Sequence, residues 1–114
     1  MTGTSFSVVT RTTETGAVVT VTGEIDVATA PSLRTGLQDV ALEPGHRLVV
    51  DLGGVTFCDS SGISALITAY NVAKAAGADV ALAAVPARLS RTFGLIGLAD
   101  FFPTYPSPEE ALGG

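Results

Sequence analysis

RLVVDLGGVTFCDSSGISALITAYNVAKAAG, residues 47–77, divides into two patterns. Leu48, Val49 and Val50 form a short apolar run that ends at Asp51 and Leu52 and is closed by Gly53 and Gly54. A valine-rich run that short, bounded by glycine, predicts a strand over 47–52 buried on both faces. A second apolar patch at Val55 and Phe57 leads into Asp59-Ser60-Ser61-Gly62, and a helical pattern starts at Ser60. Plotted at about 100° per residue, Ile63, Leu66, Tyr70 and Ala73 fall on one side, widened by Ala65, Ala69, Val72 and Ala76. Ser60, Ser64, Thr68, Asn71 and Lys74 fill the other arc, which is polar yet carries a single charge. A purely solvated face would ordinarily be more charged, so this arc is a candidate contact surface. Gly77 is placed to cap the helix at its C-terminus.

The flanking sequence extends the same alternation. Residues 5–12, SFSVVTRT, set Phe6 and Val8 against serines and predict a half-exposed strand. Thr13 to Gly16 supply a turn, and residues 17–24, AVVTVTGE, make a second strand and a hairpin. Gly23-Glu24-Ile25-Asp26 closes it. Pro31 opens a helix in which Leu33, Leu37, Val40 and Ala41 recur, with Pro44-Gly45 ending the pattern. Beyond Gly77, residues 79–85 (DVALAAV) predict another buried strand, and Pro86 opens a short helix with Leu89, Phe93 and Ile96 on one face. Phe101, Phe102 and Tyr105 form a last apolar segment that Pro103 confines to a sheet edge, and 108–112 predict a final helical turn. Phe93, Phe101 and Phe102 are expected in the core, Cys58 as a small buried side chain, and His46 as a turn residue.

Strands alternating with helices require parallel crossovers, here after an antiparallel hairpin. The expected architecture is therefore an α/β fold with a mixed, mainly parallel sheet and about four helices, in one domain over 1–114. Loops leaving the carboxyl ends of such strands gather function. Asp26 and Ser60 both follow strands, so both are expected at one end of the sheet.

Composition narrows the partners. The chain has 114 residues, 46% of them hydrophobic, which is enough for one core. Its net charge is -5 with six scattered basic residues, which excludes a phosphate-binding patch for nucleic acid and disfavours an anionic membrane surface. Cys58 is the one cysteine and His46 the one histidine, so neither an internal disulfide nor a metal or other cofactor site is expected. No signal-like start and no apolar run near eighteen residues is present, which predicts a soluble, cytoplasmic chain.

Asp59-Ser60-Ser61-Gly62 admits three readings. Ser60 or Ser61 as a plain helix cap contributes about 1 kcal/mol. A nucleophilic serine needs a base, and His46 belongs to the turn before the buried strand, at the far end of the sheet; the glycine-serine-glycine elbow of hydrolases is also missing. A phosphate-cradling loop is weaker still, since no lysine follows Gly53-Gly54 in a P-loop arrangement. The third reading is a phosphorylatable hydroxyl, whose phosphate brings roughly -1.5 to -2 charges to a helix start that tolerates them. Taken alone, Asp26 reads most simply as a turn residue and Asp59 as a local cap.

The Gly23-to-Asp26 corner, VVDLGGVTFCDSSGISAL (49–66) and FGLIGLADFFPTYPSPEEAL (93–112) together resemble the STAS domain. More narrowly, they resemble the bacterial anti-sigma-factor antagonists. The resemblance implies a non-enzymatic regulator. Its unmodified form binds an anti-sigma factor that is also a GHKL-type serine kinase and so releases the sigma factor. The kinase, using ATP and magnesium, phosphorylates the antagonist and the pair separates; a PP2C-type phosphatase resets it. By position, Ser60 is the implied phosphoacceptor and Ser61 the second hydroxyl, with Asp26 and Asp59 as the acidic neighbours that orient groups and add repulsion. Gly62 is expected to let the partner approach, and Ser64, Thr68 and Asn71 to line the docking face. Two alternatives share these residues. One is a STAS module with another partner, such as a lipid-transport accessory subunit or a signalling scaffold; the other is a nucleotide-binding or hydrolysing enzyme. Self-association is left open.

Overall fold

The apolar run at 48–50 lies in the middle of the sheet. The computed structural model describes residues 6–113. Its strands are β1 (Ser7–Thr13), β2 (Gly16–Ile25), β3 (Arg47–Cys58), β4 (Asp79–Ala83) and β5 (Thr104–Tyr105). Its helices are α1 (Ala30–Gln38), α2 (Ser60–Ala75), α3 (Ala87–Leu95) and α4 (Pro108–Ala111), with a 3-10 turn at Leu98–Asp100. Among the described residues the strands form one sheet in the order β1-β2-β3-β4-β5. The β1–β2 hairpin is antiparallel and every other pairing is parallel. This is the mixed, mainly parallel α/β sheet that the alternation of patterns predicts.

Side-chain alternation explains why the central strand is apolar on both sides. Leu48, Val50 and Leu52 join Val19, Val21 and Leu82 in the main core, packed with Leu33, Leu37, Leu66 and Phe93 from α1, α2 and α3. Val18, Val49, Ala81 and Ala83 face the other way and meet Ala111 of α4. Arg47 holds α4 there: its Nη1 donates to the Ala111 carbonyl at 2.8 Å, and its guanidinium lies 5.7 Å from the Tyr105 ring centre. Phe6 and Val8 pack against the main core, as their alternation with serines predicts.

Three expectations change. β3 does not stop at Leu52: it continues through the glycines to Cys58. Thr20 pairs with Asp51 and Thr22 with Gly54, then Gly23 with Val55 and Glu24 with Phe57, so β3 carries an extra residue at each of two bulges beside β2. Gly54 suits the first bulge because a Cβ there would sit 3.2 Å from Thr22 Oγ1. Phe101 is 55% exposed, whereas Phe93 and Phe102 are buried. Adjacent aromatics leave the chain in different directions, so Phe102 enters the core and Phe101 lies edge-on against Tyr70, ring centres 5.5 Å apart. Ile96, expected on the apolar face of its helix, caps α3 and is exposed, because the helix ends at Leu95.

Candidate functional site

Strand pairing brings the two acidic residues together. Ile25 pairs with Cys58 at the ends of β2 and β3, and parallel neighbours run about 4.8 Å apart. Asp26 and Asp59 therefore leave adjacent strands at the same level, and the Asp59 N–H donates to the Ile25 carbonyl at 3.1 Å. Ser60 begins α2 one residue later.

Asp59, and neither serine, caps this helix. Its backbone is extended, and its Oδ1 accepts from the N–H groups of Ser61 at 2.8 Å and Gly62 at 3.2 Å. A carboxylate there also meets the positive end of the helix dipole. Ser60 is exposed, and among the described residues its hydroxyl is bound by neither carboxylate. Ser61 is half-buried beside it. Asp26 organises the turn into α1. Its Oδ1 accepts from the N–H groups of Ala28 at 3.0 Å and Thr29 at 3.2 Å, while its own N–H donates to Thr29 Oγ1 at 2.9 Å. Thr29 Oγ1 donates in turn to the Glu24 carbonyl at 2.8 Å. Both carboxylates are thus fixed by backbone donors, and the exposed Ser60 directly follows Asp59 in the chain.

Gly62 works inward. It is buried, and a Cβ there would lie 2.5 Å from Cys58 Sγ and 2.7 Å from Ile25 Cγ2. The close approach it permits is that of α2 to the strand ends, not that of a partner from outside. Burial, with the adjacent Asp59 charge adding to it, pushes the Cys58 thiol up to about 11.

Ser64 and Asn71 are exposed and Thr68 is half-buried, so the polar arc of α2 faces out along its length. One member was missed. Ile67 is 43% exposed and stands on the line through Ser60, Ser64 and Asn71, all four within about 60° around the helix axis. The signal was its spacing, seven residues after Ser60 and four before Asn71, in an arc otherwise polar. Val27, next to Asp26, and Phe57, just before Cys58, are exposed too. This end of the sheet therefore has an apolar fringe that reads in sequence as turn and strand.

Other chemistry is remote. His46 Nδ1 accepts from the Glu43 N–H at 3.1 Å in the turn before β3. The 12 residues of β3 separate it from the serines, roughly 40 Å of strand, so it cannot act as their base. Among the described residues no helix is long and apolar enough to cross a membrane.

A fold with this sheet order, and a helix opening Asp-Ser-Ser-Gly at the carboxyl end of its central strand, matches the STAS domain model over residues 7–111. The chain belongs to the STAS family, among the anti-sigma-factor antagonists. It is 37% identical over 82 residues to the anti-sigma-B factor antagonist of Bacillus subtilis, covering 72% of this chain and 74% of that one. The crystal structure of an anti-sigma factor antagonist from Mycobacterium paratuberculosis superposes with a TM-score of 0.82 at 32% identity, over 96% of this chain and 92% of that one. SpoIIAA in its unphosphorylated form shares the fold, with a TM-score of 0.72 at 20% identity over 94% of this chain and 92% of that one.

Proposed function

We propose that this protein is a cytoplasmic anti-sigma-factor antagonist switched by phosphorylation of Ser60. Unmodified, it holds an anti-sigma factor that is also a GHKL-type serine kinase, and the sigma factor is released. The observation that carries this reading is the division of labour at the start of α2: Asp59 does the capping and leaves the Ser60 hydroxyl exposed. A serine needed as a cap would lose that role on modification; this one can be esterified without touching the helix's hydrogen bonds.

The kinase transfers the γ-phosphoryl group of ATP to Ser60 Oγ, the hydroxyl proton is lost, and ADP leaves. ATP, magnesium and the catalytic groups belong to the kinase, so this chain needs neither a base nor a cofactor. The product carries roughly two extra negative charges beside Asp26 and Asp59. Within the protein the helix N-terminus compensates part of that charge, but a docked surface meets three anionic groups where it had met two. Release follows from that repulsion, and a PP2C-type phosphatase restores the hydroxyl. Ser61, half-buried beside it, is the secondary candidate.

The test is a pull-down with wild type, Ser60→Ala and Ser60→Asp, with partners identified by mass spectrometry. The Ala form should retain an anti-sigma factor kinase and the Asp form should lose it. Retention by Ser60→Asp at wild-type level, or intact-mass and fragment data placing the phosphate elsewhere, overturns the reading. Recovery of a transporter or scaffold in place of a kinase redirects it to another STAS partner.

A further inference from the structure

We infer that the docking face is anchored by one large apolar side chain of the anti-sigma factor, received in a cavity beside the middle of α2; this rests on the proposed function. The cavity, about 160 Å³, is bounded by Ile67, Tyr70, Asn71, Phe101 and Phe102. Ile67 and Phe101 are 43% and 55% exposed, so two sizeable apolar groups stand in water at its rim. Tyr70 lies between the two phenylalanines and meets both edge-on, with ring centres 5.5 and 6.2 Å apart. The cavity is therefore preformed.

Three observations select the occupant. The first is continuity: Ile67 and Asn71 prolong the line of Ser60 and Ser64, so a surface lying along α2 from the acceptor covers the cavity after about two turns, roughly 10 Å. The second is size. Small-molecule sites run to about 300–1,000 Å³, and this one suits a single leucine, methionine or phenylalanine side chain. The third is charge. Tyr70 and Phe101 also border an adjoining cavity lined by Arg47, Lys74 and Asp79, which is net positive. In a two-fold contact both copies use the same patch, so a second copy would bring the same net-positive lining to the contact. A partner with a carboxylate next to its apolar anchor fits; a second copy does not.

Calorimetric titration of the anti-sigma factor recovered in the pull-down tests this, using unphosphorylated wild type, Ile67→Ser, Phe101→Ser and Ser60→Asp. Ile67→Ser and Phe101→Ser should each weaken binding about tenfold or more, the scale of a buried anchor. Both positions are exposed, so the thermal midpoints should stay near wild type, and the two variants check each other. If both bind like wild type while Ser60→Asp does not, the cavity is not an anchor and the switch stands. If both weaken and Ser60→Asp binds like wild type, the anchor stands and the switch falls. A wild-type dimer in sedimentation that Ile67→Ser dissolves would assign the cavity to a second copy and overturn the inference.

Discussion

Gly62 and Cys58 show how tightly the turn into α2 is seated. The absent side chain of Gly62 leaves 2.5 Å to Cys58 Sγ, so Gly62→Ala must displace either the helix or the strand end. Overpacking of this kind costs about 1–3 kcal/mol, and chemical denaturation should show a loss of that size. The thiol reports on the same packing. Burial raises it from its ordinary 9.0 to about 11, which lowers the thiolate fraction at pH 8 roughly a hundredfold. Alkylation by iodoacetamide at pH 8 should therefore be about that much slower in the folded protein than after denaturation; equal rates would mean the turn is open. The sign for stability follows. The folded state keeps this proton where the unfolded chain has lost it, so the contribution is complete below pH 9 and lost as the pH rises through about 11.

α2 presents one continuous outward face. Thr68 is half-buried and flanks the line of Ser60, Ser64, Ile67 and Asn71. Thr68→Arg should weaken kinase binding at least severalfold while leaving the thermal midpoint nearly unchanged, which titration and calorimetry can measure side by side. Unaltered binding would confine the docking face to the acceptor end and the Ile67 side. Period and punctuation made much of this legible in advance. Helical spacing gave the buried side of α2, and valine runs gave β2 and the first half of β3. Asp59 before the helix also read as a cap, which it is. What stayed hidden depended on contacts between distant segments. Gly53-Gly54 read as a terminator because a bulge exists only beside a partner strand, and β2 supplies it. Phe101 read as core because nothing local distinguishes it from Phe102, which takes the interior place. Ile67 left a signal in its spacing within the polar arc, but its exposure depends on where the sheet and α1 leave α2 uncovered.

At the scale of the whole molecule, the proposed switch can act by changing the fold or by changing only its surface charge. The chain carries a net charge of -5 before modification, and phosphate makes that more negative by up to about 2. Two local effects oppose each other. The start of α2 favours an anion by about 0.3–1 kcal/mol, while Asp26 and Asp59 repel it at similar strength through water. Their carboxylates are bound to the backbone N–H groups of Ala28, Thr29, Ser61 and Gly62, and none of these bonds involves the Ser60 hydroxyl. The net change should be below about 1 kcal/mol, which for a domain of this size is about 4 °C or less in the thermal midpoint. Calorimetry on the protein before and after phosphorylation should therefore show nearly the same transition, with the kinase released. A fall of 10 °C or more, or a loss of helical circular dichroism, would show that phosphate acts by unfolding the turn. Release would then be a consequence of lost structure and not of repulsion at an intact face.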